Sequence, residues 1–242
     1  MNQFNIKNDT FKKFMPLLKF IFFIFTFYYY SSILLVIVEL LLQIFSVSYT
    51  NLNLIVKIVI LTIIDLSYIY IIYLLYKKDL KESFKDFKTN IEKHFDVGIR
   101  WWVLGFTIMG VSNLLISTFS PESISNNEEA VRSLISQVPA YMLFSVSIYA
   151  PFIEEMLFRK SLGDIFKNKV VYIIISAFLF GALHVIGSLD SVYSLLHLIP
   201  YVSLGVAFSI IYVKTKNVFV SMLFHCIHNS LAAILLIVSN IL

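Results

Sequence analysis

Apolar runs of about 20 residues recur along the whole chain, and a run of that length is what one α-helix needs to cross a hydrocarbon layer. A bilayer interior offers the backbone no water to bond, so each run must satisfy its own N–H and C=O groups, as a helix does. Of the 242 residues, 59% are hydrophobic and 14% charged. Ordinary soluble domains carry about 25% charge, so the balance excludes that class. The predicted fold is all-α, a polytopic transmembrane helical bundle of about seven to eight spans.

The spans are predicted at Phe20–Val47, Leu54–Tyr76, Trp101–Phe119, Pro139–Phe166, Val170–Gly187, Val192–Val213 and from Val218 onward, with an eighth if Tyr28–Val47 is broken up. Trp101 and Trp102 mark a membrane interface. The net charge is +4. Its lysines and arginines flank the apolar runs, which is a positive-inside pattern and not a phosphate-reading patch, so no nucleic-acid partner is expected. Basic residues before Lys19, at 77–100, at Lys167–Lys169 and at Lys214–Lys216 all fall on one side of the expected bundle. The N-terminus is therefore expected in the cytoplasm, in the cell membrane of what the Ile, Phe, Lys, Asn and Tyr usage suggests is a bacterium. The first run is too long for a signal peptide and lacks a small-residue cleavage site, so it is expected to stay as an uncleaved span. Cys226 stands alone, which excludes an intrachain disulfide.

Two regions are expected, residues 1–133 with N-terminal spans and a charged cytoplasmic stretch at 77–100, and residues 134–242 with the chemistry. Glu39 and Lys57 fall within about 6 Å of the same depth, which predicts a structural ion pair between the first two helices. The 77–100 stretch reads as a solvated helix or loop, with an interfacial amphipathic helix as the second possibility. Ser120–Ser133 reads as an exterior loop, and Asp190 as a short exterior turn.

The second region places ionisable groups at membrane depth, where they are costly and functional by default. Glu154 and Glu155 are adjacent, and Arg159 follows Glu155 by one helical turn, so those two can pair. Glu154 is turned about 100° away. Downstream, Phe180 precedes His184 by four residues and His225 precedes Asn229 by four. Counted from the nearest turns at 1.5 Å per residue, Glu154 and His184 lie about 20 and 24 Å deep, and His225 and Asn229 about 12 and 18 Å. A buried carboxylate beside an imidazole can take a proton from water. A second imidazole and an amide on one helix face can donate to a developing oxyanion. Glu155 with Arg159 would support the helix, and Phe180 would pack behind His184. Singly, each histidine could merely bond a neighbouring helix. A Glu154, His184 and His225 zinc set is the alternative to a metal-free site, although the close helical spacing usual for two ligands is missing.

In their order and spacing, Glu-Glu-x-x-x-Arg, Phe-x-x-x-His and His-x-x-x-Asn between Pro139 and Leu231 resemble the CAAX-protease and bacteriocin-processing (Abi) family of intramembrane endopeptidases. The resemblance implies peptide-bond hydrolysis in the membrane, with Glu154 and His184 activating water and His225 and Asn229 forming the oxyanion site. It also implies a peptide or membrane-anchored protein as substrate. Lys160 stands where the family usually has glycine. His-Glu-x-x-His, Gly-x-Ser-Gly and Gly-x-Gly-Asp are absent, which argues against zinc site-2, rhomboid and presenilin types. A non-catalytic scaffold for partner membrane proteins is the competing reading, and a transporter a third. A scaffold gains nothing from buried charge, and no repeat symmetry supports transport. Oligomeric state is not legible.

Overall fold

The computed structural model describes residues 3–119, 126–186 and 192–239. They are helical almost throughout, and no strand occurs among the described residues. Six helical stretches among them are long and apolar enough to cross a membrane: Lys13–Ile44, Leu54–Leu75, Ile91–Phe119, Pro139–Ser161, Leu195–Thr215 and Val218–Ser239. A shorter apolar helix, Lys169–Val185, has 17 residues and so is about 25 Å long. The chain is a multi-pass membrane protein. It divides into two compact units, Met1–Lys77 and Lys78–Leu242.

In the first unit, α1 (Gln3–Ile44) turns through a 3-10 segment, Tyr49–Asn51, into α2 (Leu54–Leu75). Asn53 caps α2, its side chain accepting from Val56 N at 2.9 Å, which satisfies one of the orphan donors of the first turn. Between the helices the Thr26 and Tyr68 hydroxyls bond at 2.9 Å and those of Tyr30 and Ser67 at 2.8 Å. Lipid supplies no hydrophobic drive between apolar helices, so hydroxyl bonds and close packing hold such a hairpin. Phe23, fully buried, sits edge-on to the Tyr68 ring. The expected Glu39–Lys57 ion pair does not form. Glu39 instead accepts from Tyr49 N at 2.7 Å and Ser48 Oγ at 3.2 Å, while Lys57 Nζ donates to Thr50 O at 2.8 Å. The turn's own backbone groups lie nearer to each charge than the opposite charge does.

The second unit contains most of α3 (Lys77–Thr89), then α4 (Ile91–Phe119) and α5 (Asn126–Gln137). A long broken helix follows: α6 (Pro139–Phe144), a π-helical turn at Ser145–Tyr149, α7 (Ala150–Glu155) and a second π-helical turn at Met156–Ser161. Then come α8 (Lys169–Val185), a 3-10 turn at Val192–His197, α9 (Leu198–Thr215) and α10 (Val218–Ser239). α9 packs between α8 and α4, and the broken helix packs against α10. The α8–α9 contact is backbone to backbone, since a Cβ on Gly205 would lie 2.9 Å from the Ala177 Cα and carbonyl oxygen. Small residues permit that approach in membranes.

The expected exterior loop is helical from Asn126 on; Ser120–Ser125 and Asp190 lie outside the described residues. Glu128 and Glu129 occupy the first turn of α5, where the helix dipole favours acid. Ile135 of α5 is buried with Met142 and Ala233, which anchors that helix.

The charged stretch at 77–100 is α3 followed directly by the first turns of α4. Asp86 holds α3 to the bundle: Asn217 Nδ2 donates to its Oδ2 at 2.7 Å, and His94 Nε2 lies 2.8 Å from the same oxygen. The Asn217 bond, followed by the His94 contact, holds the Asp86 carboxyl below its usual range despite partial desolvation. A group with a depressed folded pKa contributes stability above its unfolded value, near pH 3.9, and loses it as the pH falls through the folded value. Asp86→Asn is therefore expected to melt below the wild type at pH 7, the gap closing only below about pH 3.9. A gap that is constant from pH 7 to pH 3 would mean the carboxylate charge does not matter there.

Candidate active site

The broken helix presents both glutamates, and its breaks have a local cause. In the first π turn the Ala150 N–H bonds to Ser145 O, five residues back. Continued by one residue, that register calls for a donor from residue 151 to Val146 O, but Pro151 has none. Asn229 Nδ2 supplies it from α10, at 2.8 Å. In the second π turn the Leu162 N–H reaches back to Leu157 O. The neighbouring Phe158 carbonyl takes Ser176 Oγ at 2.8 Å and Tyr172 OH at 3.3 Å, both from α8. π-helical turns of this kind often accompany functional sites.

Between the two breaks the glutamates point apart. Glu155 and Arg159 are both fully buried, with Arg159 Nε 3.1 Å from Glu155 Oε2. Arg159 Nη1 also donates to Ser176 Oγ at 3.0 Å, and Ser209 Oγ of α9 lies 3.1 Å from the same oxygen. The guanidinium lies over the rings of Phe180 at 5.0 Å and Phe208 at 5.8 Å, a favourable place for a desolvated cation. The other Glu155 oxygen, Oε1, lies 3.0 Å from His225 Nδ1. A carboxylate only accepts, so Nδ1 carries the proton and Nε2 is left to face the site.

Glu154 Oε2 faces that nitrogen at 3.8 Å and His184 Nε2 at 4.0 Å. His184 Nδ1 lies 2.8 Å from the Phe180 carbonyl oxygen, which also only accepts, so its Nε2 too is turned to the site. The Phe180 ring stands 4.7 Å from His184 and 5.5 Å from His225. Tyr201 stacks on His184 at 4.6 Å and Phe208 on His225 at 4.7 Å. The two imidazoles are thus held on both edge and face, with their Nε2 atoms aimed at one carboxylate.

Glu154, His184 and His225 converge, with Glu155, Arg159 and Phe180 directly behind them. Asn229, one turn beyond His225, is half-buried and bonded to the Val146 carbonyl. The motifs do not point to Ser176, Ser209, Tyr201 and Phe208, which complete the surround. A serine or an aromatic in an apolar helix carries no distinguishing signal until the neighbouring helix is known.

Carboxylate and imidazole are also zinc ligands. Among the described residues, however, no group of three His, Cys, Asp or Glu has metal-holding geometry. Tetrahedral zinc with bonds of about 2.0–2.1 Å sets adjacent donors about 3.3 Å apart, closer than either imidazole comes to Glu154.

Residues 136–231 match the family described as type II CAAX prenyl endopeptidase Rce1-like. That stretch runs from the end of α5 into α10 and takes in every residue of the site. The match covers about two fifths of the chain and is similarity to that family over this stretch. The Staphylococcus aureus membrane-embedded CAAX protease MroQ is 31% identical over 147 residues, 56% of this chain and 57% of that protein. YdiL of Bacillus subtilis is 28% identical over 147 residues, 57% of each chain. UPF0177 protein YbdI of Lactococcus lactis is 29% identical over 109 residues, 40% of this chain and 60% of that one. The chain thus spans a little over half the length of these relatives. No solved structure matches it. The matched stretch lies wholly within the second compact unit.

Proposed function

We propose that the chain is an intramembrane endopeptidase that hydrolyses a peptide bond in a membrane-associated peptide or protein. The observation that carries this reading is the convergence of Glu154 Oε2 with two imidazole Nε2 atoms at 3.8 and 4.0 Å. Gaps of that size suit a bridging water, which has two protons to give, one to Glu154 Oε2 and one to His184 Nε2. Glu154 would take the proton as the oxygen attacks the scissile carbonyl, with His184 orienting the nucleophile, and would return it to the leaving amine as the C–N bond breaks. His225, backed by Glu155 on Nδ1, would donate to the oxyanion from Nε2 with a second proton drawn from solvent before the attack, and the second amide N–H of Asn229 would assist. The Rce1-like match and the CAAX protease MroQ support peptide-bond chemistry.

The class of substrate follows from the setting, since a site walled by apolar helices admits chains that already lie in or on the bilayer. Precursor peptides, bacteriocin-related peptides and surface proteins fit. The test compares membrane peptides from cells carrying the wild type with those from cells carrying Glu154→Ala. Substrates are expected to accumulate uncleaved in the variant. Identical peptide populations would favour a non-catalytic scaffold.

The chemistry is proposed to need no metal, on the donor spacing given above. Activity of the purified protein is expected to survive a strong zinc chelator. Stoichiometric zinc whose removal abolishes activity and whose return restores it would show a Glu-His-His centre instead.

The lysine and arginine bias supports an N-terminus in the cytoplasm of a bacterial cell. Among the described residues six long spans and α8 make an odd number of crossings, so a reporter fused after Leu242 is expected to read as exterior. A cytoplasmic reading would mean that α8 does not cross.

A further inference from the structure

Helix α3 has three distinct faces. At 100° per residue, Asp79, Glu82 and Asp86 fall within an arc of about 60°, and Lys78, Lys81, Lys85 and Lys88 within a separate arc of about 80°. Leu80, Phe84 and Phe87 lie on the remaining side. On the acidic face Asp79 and Asp86 turn inward, while Glu82 is exposed. Asp79 lies 2.8 Å from Lys160 Nζ, just after the site's Arg159, and Asp86 meets Asn217 and His94. Asn217 Nδ2 lies 2.7 Å from the Ser83 carbonyl oxygen as well.

Each of these anchors is at a helix end. His94 is in the first turn of α4, Lys160 in the last turn of the broken helix, and Asn217 between α9 and α10. The helix is therefore clipped across span ends at one membrane boundary, with Asp79 and Asp86 already engaged. All four lysines are exposed. One ion pair touches the set, Lys78 with Glu82 at 4.0 Å, between side chains 88% and 70% exposed, and a pair so solvated holds little. Phe84 is 44% exposed, the Lys88 ammonium lies 4.6 Å over its ring, and the Phe219 ring of α10 meets it edge-on at 5.4 Å. Basic side chains beside an exposed aromatic, at the level where spans end, match an interfacial helix.

We infer that the Lys78, Lys81, Lys85 and Lys88 face of α3 is a docking surface for anionic phospholipid headgroups around the bundle. Two of the three acids, Asp79 and Asp86, are held in contacts with the bundle, Glu82 sits beside Lys78, and the apolar flank of Phe84 gives the helix a foothold in the interface. Lysines near an anionic leaflet each favour it by about fivefold, so four acting together discriminate strongly between zwitterionic and anionic lipid. This surface is independent of the hydrolytic site and does not rest on it.

The test is hydrogen–deuterium exchange on the full chain in nanodiscs of phosphatidylcholine alone or with phosphatidylglycerol. Uptake across residues 78–88 is expected to fall several-fold when phosphatidylglycerol is present, and to rise again at about 0.5 M salt, where screening shortens the reach of charge below 10 Å. In Lys78→Gln, Lys81→Gln, Lys85→Gln and Lys88→Gln combined, the two lipid compositions are expected to give equal uptake. Equal uptake in the wild type, or lipid-dependent protection that survives in the quadruple variant, would overturn the inference. The wild-type comparison alone suffices should the variant fail to fold.

Discussion

Replacing Glu154 with glutamine is expected to lower turnover by about 10²-fold or more while the protein stays folded. Glutamine keeps the shape of the side chain and removes the group that would take the proton. Its amide can also donate to one of the two Nε2 atoms that face it, so the packing of His184 and His225 loses nothing. The measurement pairs cleavage of a membrane-reconstituted substrate with detergent-extracted yield and melting temperature. Full activity in Glu154→Gln would remove the carboxylate from the chemistry altogether. An unfolded Glu154→Gln beside a stable, inactive Glu155→Gln would show that base and support had been assigned the wrong way round.

Glu155→Gln is expected to act in the opposite manner. It leaves Arg159, fully buried, without its counter-charge, and breaking a buried pair from one side costs about 3–5 kcal/mol. Ser176 and the rings of Phe180 and Phe208 remain around the guanidinium but supply no negative charge. The folded yield and melting temperature should drop sharply. Combining Glu155→Gln with Arg159→Gln should recover part of the loss, because two neutral amides replace one stranded cation. The double change also tests the link to catalysis. The glutamine oxygen can still accept from His225 Nδ1, so whatever double-variant protein folds should keep more activity than Glu154→Gln does. A double variant no more stable than Glu155→Gln alone would mean that the ion pair is not what holds the helix.

The apolar runs and the three short motifs carried the helical membrane class and the set of convergent side chains, because both depend on local chemistry. Bilayer length dictates the spans, and only Glu155 stands one turn before Arg159. The two faces of the glutamate pair follow from helical geometry alone. Depth was less legible. Counting to Asn168 put Glu154 deeper than His225, but the α-helix carrying Glu154 gives way to a π-helical turn at Met156–Ser161, and the two side chains meet at 3.8 Å.

What tertiary structure decided is how polar groups find partners across helices. Glu39 and Lys57 share a depth, yet turn backbone groups nearer to each of them won. Residues 126–137, polar enough to read as loop, became a helix because Ile135 could be buried against α6 and α10. The clip of α3 required Lys160, Asn217 and His94 from three distant places in the chain. Pro151 announces a missing donor in the sequence, but which carbonyl goes unpaired, and that Asn229 answers it, depends on the π register and on α10 lying alongside. A hydrogen bond between helices is a relation between two surfaces, and sequence specifies each surface without specifying their contact.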